Sequence, residues 1–210
     1  LEEVQDPRLI IYDISRRISA NLSAIRKQLS RDREGARTRQ VTELDPAELA
    51  ATRATVARKE EGKVGASDRD EELGEDERAE DLRRHLEEQG VETDEARQIA
   101  VAHVQNKIKY VFREADYDGQ SFFSVASRGG SIVVTINRGH PAGKYLYGLL
   151  DGEGNSDRGT SLQALKVLLC AWARMEDEAQ NETLRSRLSD SRNDWGRIAR
   201  DFLATAFEDG

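Results

Sequence analysis

The stretch that decides the fold of this chain is residues 122–137, which read FFSVASRGGSIVVTIN. After the pair Gly129-Gly130, large apolar side chains recur at every second position, at Ile132, Val134 and Ile136. Alternation of period two is typical of a β-strand, whose successive side chains point to opposite faces. The sequence therefore predicts an antiparallel hairpin of two strands, about 121–126 and 131–137, joined by a glycine turn.

A two-stranded hairpin alone is only marginally stable in water, so the sheet needs further partners. Tyr110 and Phe112 alternate with other residues and indicate a third strand near 109–115. We expect helices to cover one face of this sheet. The strongest apolar helix face follows the glycine-rich loop 151–159, and a final helix carries Leu188, Trp195 and Phe202 seven residues apart. That spacing places the three side chains on one face, which should pack on a neighbour.

The chain before the sheet has the spacing of helices rather than strands. Apolar residues recur at intervals of three and four over 7–30 in a narrow stripe typical of a coiled coil. Asp45-Pro46 predicts the start of a further helix, with Glu48 completing a capping box. Residues 61–76 combine three glycines with dense charge and predict a hinge. The predicted fold class is α+β, mainly helical, with an extended helical arm over 1–108 and a small domain over 109–210, where C-terminal helices cover an antiparallel sheet.

Composition excludes several classes of protein. Charged residues make up 34% of the 210 residues, against about 25% in typical globular proteins. The net charge of −8 is concentrated in 41–100, which hold nineteen acidic and nine basic residues. The longest apolar run, 167–173, is far shorter than the roughly 20 residues of a membrane-spanning helix. The single cysteine, Cys170, excludes an intrachain disulfide and paired-cysteine metal motifs. We expect a cytoplasmic protein without membrane contact.

No catalytic or metal-binding constellation is evident. The Asp118-Gly119 turn resembles a calcium loop, but position twelve is Val125 instead of the bidentate glutamate. The glycines near 152 lack the lysine and serine or threonine of a phosphate loop. Among the three histidines, no two have the i, i+4 spacing that seats zinc. We therefore predict no catalytic residue and no metal site.

Two groups of residues remain as candidates for contact with a ligand. The strand end and the loop after it present Asn137, Arg138, His140 and Lys144, and functional residues often lie on such loops. The alternative for His140 is that it caps the helix begun by Pro141. Four arginines after the first helix are candidate phosphate contacts for a nucleic acid: Arg31, Arg33, Arg37 and Arg39. The overall acidity weighs against a sequence-specific nucleic-acid reader.

The order of motifs in this region resembles a known superfamily. Phe122-Phe123-Ser124-Val125, the glycine turn, a strand ending in Asn137 and then His140-Pro141 resemble the C-terminal region of bacterial GHKL-superfamily ATP-binding proteins. That superfamily includes gyrase, heat-shock chaperones, histidine kinases and MutL. An apolar helix with Ala171-Trp172-Ala173-Arg174 and a later Asp194-Trp195-Gly196-Arg197 extend the resemblance over about 95–203. It departs at Ala142-Gly143-Lys144, where an aromatic pair is expected.

The resemblance implies a part of such a protein rather than its catalytic domain. The acidic-Asn helix motif and the Asp-x-Gly-x-Gly strand of the superfamily's ATP site do not occur in this sequence. The chain then corresponds to the portion after an upstream ATPase domain, which transmits nucleotide state and holds a homodimer through helices. ATP and magnesium would belong to the parent protein, with no cofactor in this segment. Some relatives insert a lysine towards the γ-phosphate, and Lys107 and Lys109 are placed for that role; the alternative is two solvent-facing lysines.

The predicted function is therefore a non-catalytic coupling and dimerisation region of a GHKL-type ATP-binding protein. The chain starts at Leu1 without methionine, in keeping with an expected cut from a longer protein. The alternative is a nucleic-acid-associated module of a DNA-processing or phage-defence system, which depends on the arginines at 31–39.

Overall fold

A computed structural model describes residues 45–150 and 156–207 of the chain. The predicted helix over 7–30 and the four candidate phosphate contacts Arg31, Arg33, Arg37 and Arg39 lie outside the described residues. Those that are described confirm an α+β fold that is mainly helical, with a small sheet followed by C-terminal helices.

Seven α-helices run through the described ranges. Four precede the sheet: α1 (Pro46–Glu60), α2 (Ala66–Arg69), α3 (Glu75–Glu88) and α4 (Thr93–Gln105), with a 3-10 turn at Asp70–Glu72 after α2. Three follow it: α5 (Gly148–Leu150), α6 (Ser156–Asp177) and α7 (Glu182–Phe207), with a π-helical turn at Gly143–Tyr147 before α5.

The sheet has three strands in the order β1 (Tyr110–Ala115), β3 (Ser131–Asn137) and β2 (Phe123–Arg128). Strands β2 and β3 form the predicted antiparallel hairpin. Strand β1 pairs parallel with β3, from Tyr110 opposite Ile132 to Ala115 opposite Asn137. The sheet is therefore mixed, and the prediction of an antiparallel sheet is wrong for this strand. Strand β3 is buried along its whole length, as befits the central strand. One of its edges pairs with β2, and β1 pairs with the other.

Two residues with positive φ make the turn between β2 and β3. Gly129 has φ +54° and Gly130 has φ +78°, the left-handed pair that a two-residue hairpin turn with the native strand twist requires. A Cβ on Gly129 would also lie 2.1 Å from the carbonyl oxygen of Arg78 in α3. Both the backbone conformation and this close approach therefore require glycine.

Helices cover both faces of the sheet. Ile132, Val134 and Ile136 of β3 belong to a core cluster with Leu169 and Ala173 of α6. On the other face, the Oγ1 of Thr135 donates a 3.0 Å hydrogen bond to Gln89 at the end of α3, which packs against α4. The sequence predicted helices on one face only, whereas every residue of β3 is buried, so covering layers lie on both faces.

Backbone contacts place the described helices α1 to α4 in the same compact unit as the sheet. The predicted boundary at residue 108 stays a prediction. The predicted hinge over 61–76 contains α2 and the 3-10 turn, and its Ser67 and Asp68 are buried. Of the charges that suggested a solvated linker, Asp68 pairs with Arg174 of α6 and with Lys109, and Glu71 pairs with Lys109 and Lys59.

Candidate functional site

The first candidate site surrounds Lys109, one of the two lysines for which the resemblance implies a role at a phosphate. Lys109 directly precedes β1 and is buried. Its Nζ lies 2.6 Å from Oδ1 of Asp68 and 2.7 Å from Oε1 of Glu71. In this conformation the amine is the counter-ion of two carboxylates that the predicted hinge supplies.

Asp68 also connects this lysine to α6. Its Oδ2 accepts a 2.8 Å hydrogen bond from Nη2 of Arg174 and a 2.7 Å bond from the backbone N–H of Gly65. Arg174 in turn pairs with Asp177 at 3.0 Å, and Asp177 accepts bonds of 2.8 Å from both the backbone N–H and the hydroxyl of Ser67. We call Asp68, Lys109, Arg174 and Asp177 the buried ion cluster.

The buried ion cluster holds fixed charges and is not poised for proton transfer. Burial raises the pKa of Asp68, but hydrogen bonds from Arg174 and Lys109 outweigh it and hold that pKa well below its ordinary value. The carboxyl group stays ionised at neutral pH. Removing one partner of a buried ion pair typically costs about 3–5 kcal/mol because the other charge is left uncompensated. The arrangement fits a structural connection between α2, α6 and the start of β1.

A cleft of about 290 Å³ lies beside the buried ion cluster, and both predicted lysines line it. Four cationic side chains contribute to its wall: Lys59, Arg78, Lys107 and Lys109. Glu71 lies 2.7 Å from both Lys59 and Lys109. Among the described residues, no carboxylate pairs with Lys107 or Arg78. These two are therefore the cationic side chains of the cleft without a paired carboxylate, and Glu75 is a second carboxylate in its wall.

Lys107 has an unusual backbone. Its φ is +54°, a left-handed value that is rare outside glycine, asparagine and aspartate. The N–H of Lys107 donates to Val104 O and that of Ile108 to His103 O, which is the Schellman ending of a helix. Glycine has this position after α1 and α3, at Gly62 and Gly90. The role of Lys107 at a phosphate stays a prediction.

The predicted loop after β3 is held by its own polar side chains. The Asn137 amide donates 3.2 Å bonds to the carbonyls of Gly119 and Ser121, and its oxygen accepts a 3.0 Å bond from the Gly139 N–H. Arg138 donates a 2.8 Å bond to Glu114. The fully buried Asn137 thus holds together the segment before β2 and the turn after β3.

His140 is buried, and both of its ring nitrogens have partners. Nδ1 accepts a 3.0 Å bond from the backbone N–H of Ala142, and Nε2 donates a 2.9 Å bond to the carbonyl of Gly196 in α7. Burial and the nearby Arg200 lower the pKa of His140, although the bond to Gly196 opposes them. These two bonds need one acceptor and one donor, which is the neutral ring. The alternative of a capping role is the one that this geometry fits.

Lys144 lies on the surface of the π-helical turn. Its Nζ lies 2.9 Å from the Tyr145 hydroxyl and 4.5 Å from the centre of the Tyr145 ring. The structure therefore does not bring Asn137, Arg138, His140 and Lys144 together at one site. Two of them are buried structural groups, and the other two contact different neighbours.

Sequence reasoning missed a buried pair between α1 and α4. Glu48 does not complete the capping box; its Oε2 lies 3.1 Å from Nε2 of His103, and its Oε1 accepts a 2.8 Å bond from the Phe112 N–H. The Nδ1 of His103 faces the carbonyl of Ile99 at 2.9 Å. Burial lowers the pKa of His103, but the Glu48 contact outweighs it and raises that pKa above its ordinary value. Two residues 55 positions apart carry no local signal of this contact.

The second candidate site is an exposed apolar face of α7. Its members recur at alternating intervals of four and three residues, and we call them the α7 stripe: Leu184, Leu188, Ser191, Trp195, Ile198, Phe202 and Thr205. Large side chains on it are well exposed, with 48% for Trp195, 45% for Ile198 and 73% for Phe202. The three residues lie on one helix as predicted, but the expected packing on a neighbour is slight: the Trp195 ring lies 6.4 Å from the buried Phe122 ring and still stays half exposed.

The adjacent face of α7 attaches the helix to the sheet. Gly196 approaches the segment just before β2 so closely that a Cβ would lie 2.7 Å from Cα of Ser121 and 2.9 Å from the Phe122 nitrogen. Arg192 is buried and donates hydrogen bonds of 2.7 Å to Glu176 and 2.6 Å to the Phe123 carbonyl. With one side docked in this way, the helix presents the α7 stripe outward.

Within 45–150 and 156–207, no group of three potential ligands could hold a metal ion. No helix in the part of the chain that the structure describes has the length and apolarity to cross a membrane. Comparison of the chain with protein-family models, with curated proteins and with solved structures found no match in any of the three.

Proposed function

We propose that this chain is a non-catalytic coupling and dimerisation region of a GHKL-type ATP-binding protein. The observation that carries the proposal is the α7 stripe. Contiguous exposed apolar patches are uncommon on monomeric proteins and mark interaction surfaces. A helix of 26 residues with an outward apolar row of heptad spacing is suited to pairing with another helix.

The connections between elements support the coupling part of the proposal. His140 ties α7 to the loop after β3, and Glu48 ties α1 to β1 through the Phe112 N–H. The buried ion cluster ties α2 to α6. A displacement of α1 or α2 would therefore reach the sheet and α7 through hydrogen bonds and packed contacts, which is the physical requirement for coupling.

The described polar clusters support a mechanical rather than a chemical role. Arg174 binds both Asp68 and Asp177, and His103 and His140 each have both ring nitrogens engaged. The proposal assigns no reaction step to these groups. The GHKL part of the proposal depends on the motifs at 122–141 and near 171–197.

Two solution measurements test the proposal separately. Light scattering over a range of chain concentrations should give a mass that approaches twice that of one chain, and a monomer at high concentration would refute dimerisation. Titration calorimetry with ATP and magnesium should show no micromolar binding, because the superfamily's ATP motifs are missing. Micromolar binding would contradict the non-catalytic assignment while leaving dimerisation intact.

A further inference from the structure

We propose that α7 pairs with α7 of a second copy of this chain in antiparallel orientation, through the α7 stripe. This inference rests on the dimerisation part of the proposed function and adds the partner, the surface and the direction. The stripe from Leu184 to Phe202 spans about 27 Å at the 1.5 Å rise of an α-helix. It is long enough for five helical turns of contact.

Side-chain volume favours the antiparallel orientation. With the axis near residue 193, Leu184 faces Phe202 of the second copy, Leu188 faces Ile198, and Ser191 faces Trp195. Each layer then combines a smaller with a larger side chain. A parallel pair would place Trp195 against Trp195 and Ser191 against Ser191. The tryptophan layer would then be overpacked, and the serine layer next to it would leave a cavity. Both defects destabilise a packed interface.

Charge on the exposed flank of the stripe favours the same orientation. Arg187 and Asp201 precede Leu188 and Phe202, and both are exposed. In the antiparallel pair Arg187 faces Asp201 of the second copy. By symmetry, Asp201 faces Arg187 of the second copy, so the pair forms two such contacts. In a parallel pair Arg187 would approach Arg192 of the second copy. Opposite charges at these flanking positions set the orientation of coiled coils.

The like charges nearest the axis are compensated within one chain. Asp194 would lie opposite Asp194 of the second copy, but Arg197 is 3.8 Å from its carboxylate. On the other flank Arg192 is buried and bonded to Glu176 and to the Phe123 carbonyl. Neither position places a bare like-charge pair in the interface.

Disulfide trapping between single-cysteine variants tests the orientation. Leu188→Cys and Ile198→Cys chains, distinguishable by mass, are mixed and oxidised, with Asp190→Cys as an exposed control off the stripe; native Cys170 is buried. The antiparallel pair predicts that the mixed disulfide, which joins one Leu188→Cys chain to one Ile198→Cys chain, is at least ten-fold more abundant than either self-disulfide. Dominant self-disulfides would overturn the orientation and leave dimerisation standing.

Other outcomes overturn the inference at different levels. If the variants are dimers by light scattering but form no disulfide on the stripe, then α7 does not lie in the interface. If both the variants and the parent chain are monomers by light scattering, the proposed dimerisation is refuted as well. As a second arm, Arg187→Asp should weaken the dimer several-fold, and Arg187→Asp with Asp201→Arg should restore it. An unchanged dimer in Arg187→Asp would contradict the charge pairing.

Discussion

His103 in α4 is buried with an acceptor beside each ring nitrogen, the Glu48 carboxylate and the Ile99 carbonyl. Only the protonated imidazole carries a donor on both nitrogens. The contact with Glu48 accordingly raises the pKa of His103 in spite of burial. A histidine whose pKa is raised by folding contributes its full stabilisation when the pH is below the pKa of the unfolded state, about 6.5. That contribution is lost as the pH rises through the higher pKa of the folded state.

The first prediction is a pH-dependent stability that disappears with His103→Gln. At pH 6 the variant should lose about 1.5–3 kcal/mol of unfolding free energy, the usual contribution of hydrogen bonds to a charged group. Between pH 6 and pH 8 the gap between the two proteins should narrow, because the native histidine loses its proton. Urea unfolding at both pH values measures this gap, and a gap that widens with pH would contradict the assignment of charge.

Gly65 supplies the second prediction, which concerns the buried ion cluster. A Cβ there would lie 1.8 Å from Oδ2 of Asp177 and 2.9 Å from Nη1 of Arg174. Gly65→Ala should therefore break the Arg174–Asp177 contact and destabilise the chain by about 3–5 kcal/mol. Gly159→Ala is the matched control, since nothing lies within 4 Å of its Cβ on helix α6. That change should stabilise by about 0.5–1 kcal/mol, and equal effects of the two changes on thermal unfolding would refute the account of the cluster.

At the scale of elements, the end of α4 shows a backbone cost that sequence alone does not reveal. Lys107 adopts the left-handed conformation that glycine has at the ends of α1 and α3. Lys107→Gly should raise the free energy of unfolding by about 1 kcal/mol, the cost of left-handed backbone in an ordinary residue. Lys107→Ala keeps that cost and should give no such gain. A comparable gain in both variants would assign the effect to the lysine charge instead of the backbone.

The predicted hairpin and its helical surroundings show what periodicity can establish. Ile132, Val134 and Ile136 identify β3, and Gly129-Gly130 fix its turn, because both signals are local. The parallel pairing of β1 was not accessible in this way, since it depends on which edge of β3 remains open after the hairpin forms. The same holds for Glu48: its local spacing fits a capping box, but its partner His103 is distant in sequence.

The two candidate sites also differ in whether a local pattern in the sequence predicts them. The α7 stripe was predictable from the spacing of Leu188, Trp195 and Phe202, because a helix face follows from spacing alone. The buried ion cluster was not, since dense charge around Asp68 is equally typical of a solvated linker. The local signal is an aspartate three residues after Gly65, whose carboxylate accepts a 2.7 Å bond from the Gly65 N–H; it indicates a helix start without indicating burial.

At the scale of the whole molecule, we propose that the outer face of α7 is the surface through which two chains pair. Its inner face is attached by Gly196 and Arg192, while Phe202 remains 73% exposed. If this surface pairs two chains, a charge placed within it must separate them. The same change elsewhere on the helix must not.

Sedimentation equilibrium of Phe202→Glu against Phe207→Glu tests this claim most directly. Both replace an exposed phenylalanine of α7 by glutamate, but Phe207 lies off the α7 stripe and stacks on Tyr145. We predict that Phe207→Glu sediments as a dimer like the parent chain and that Phe202→Glu sediments as a monomer. A Phe202→Glu dimer of undiminished affinity would contradict the account.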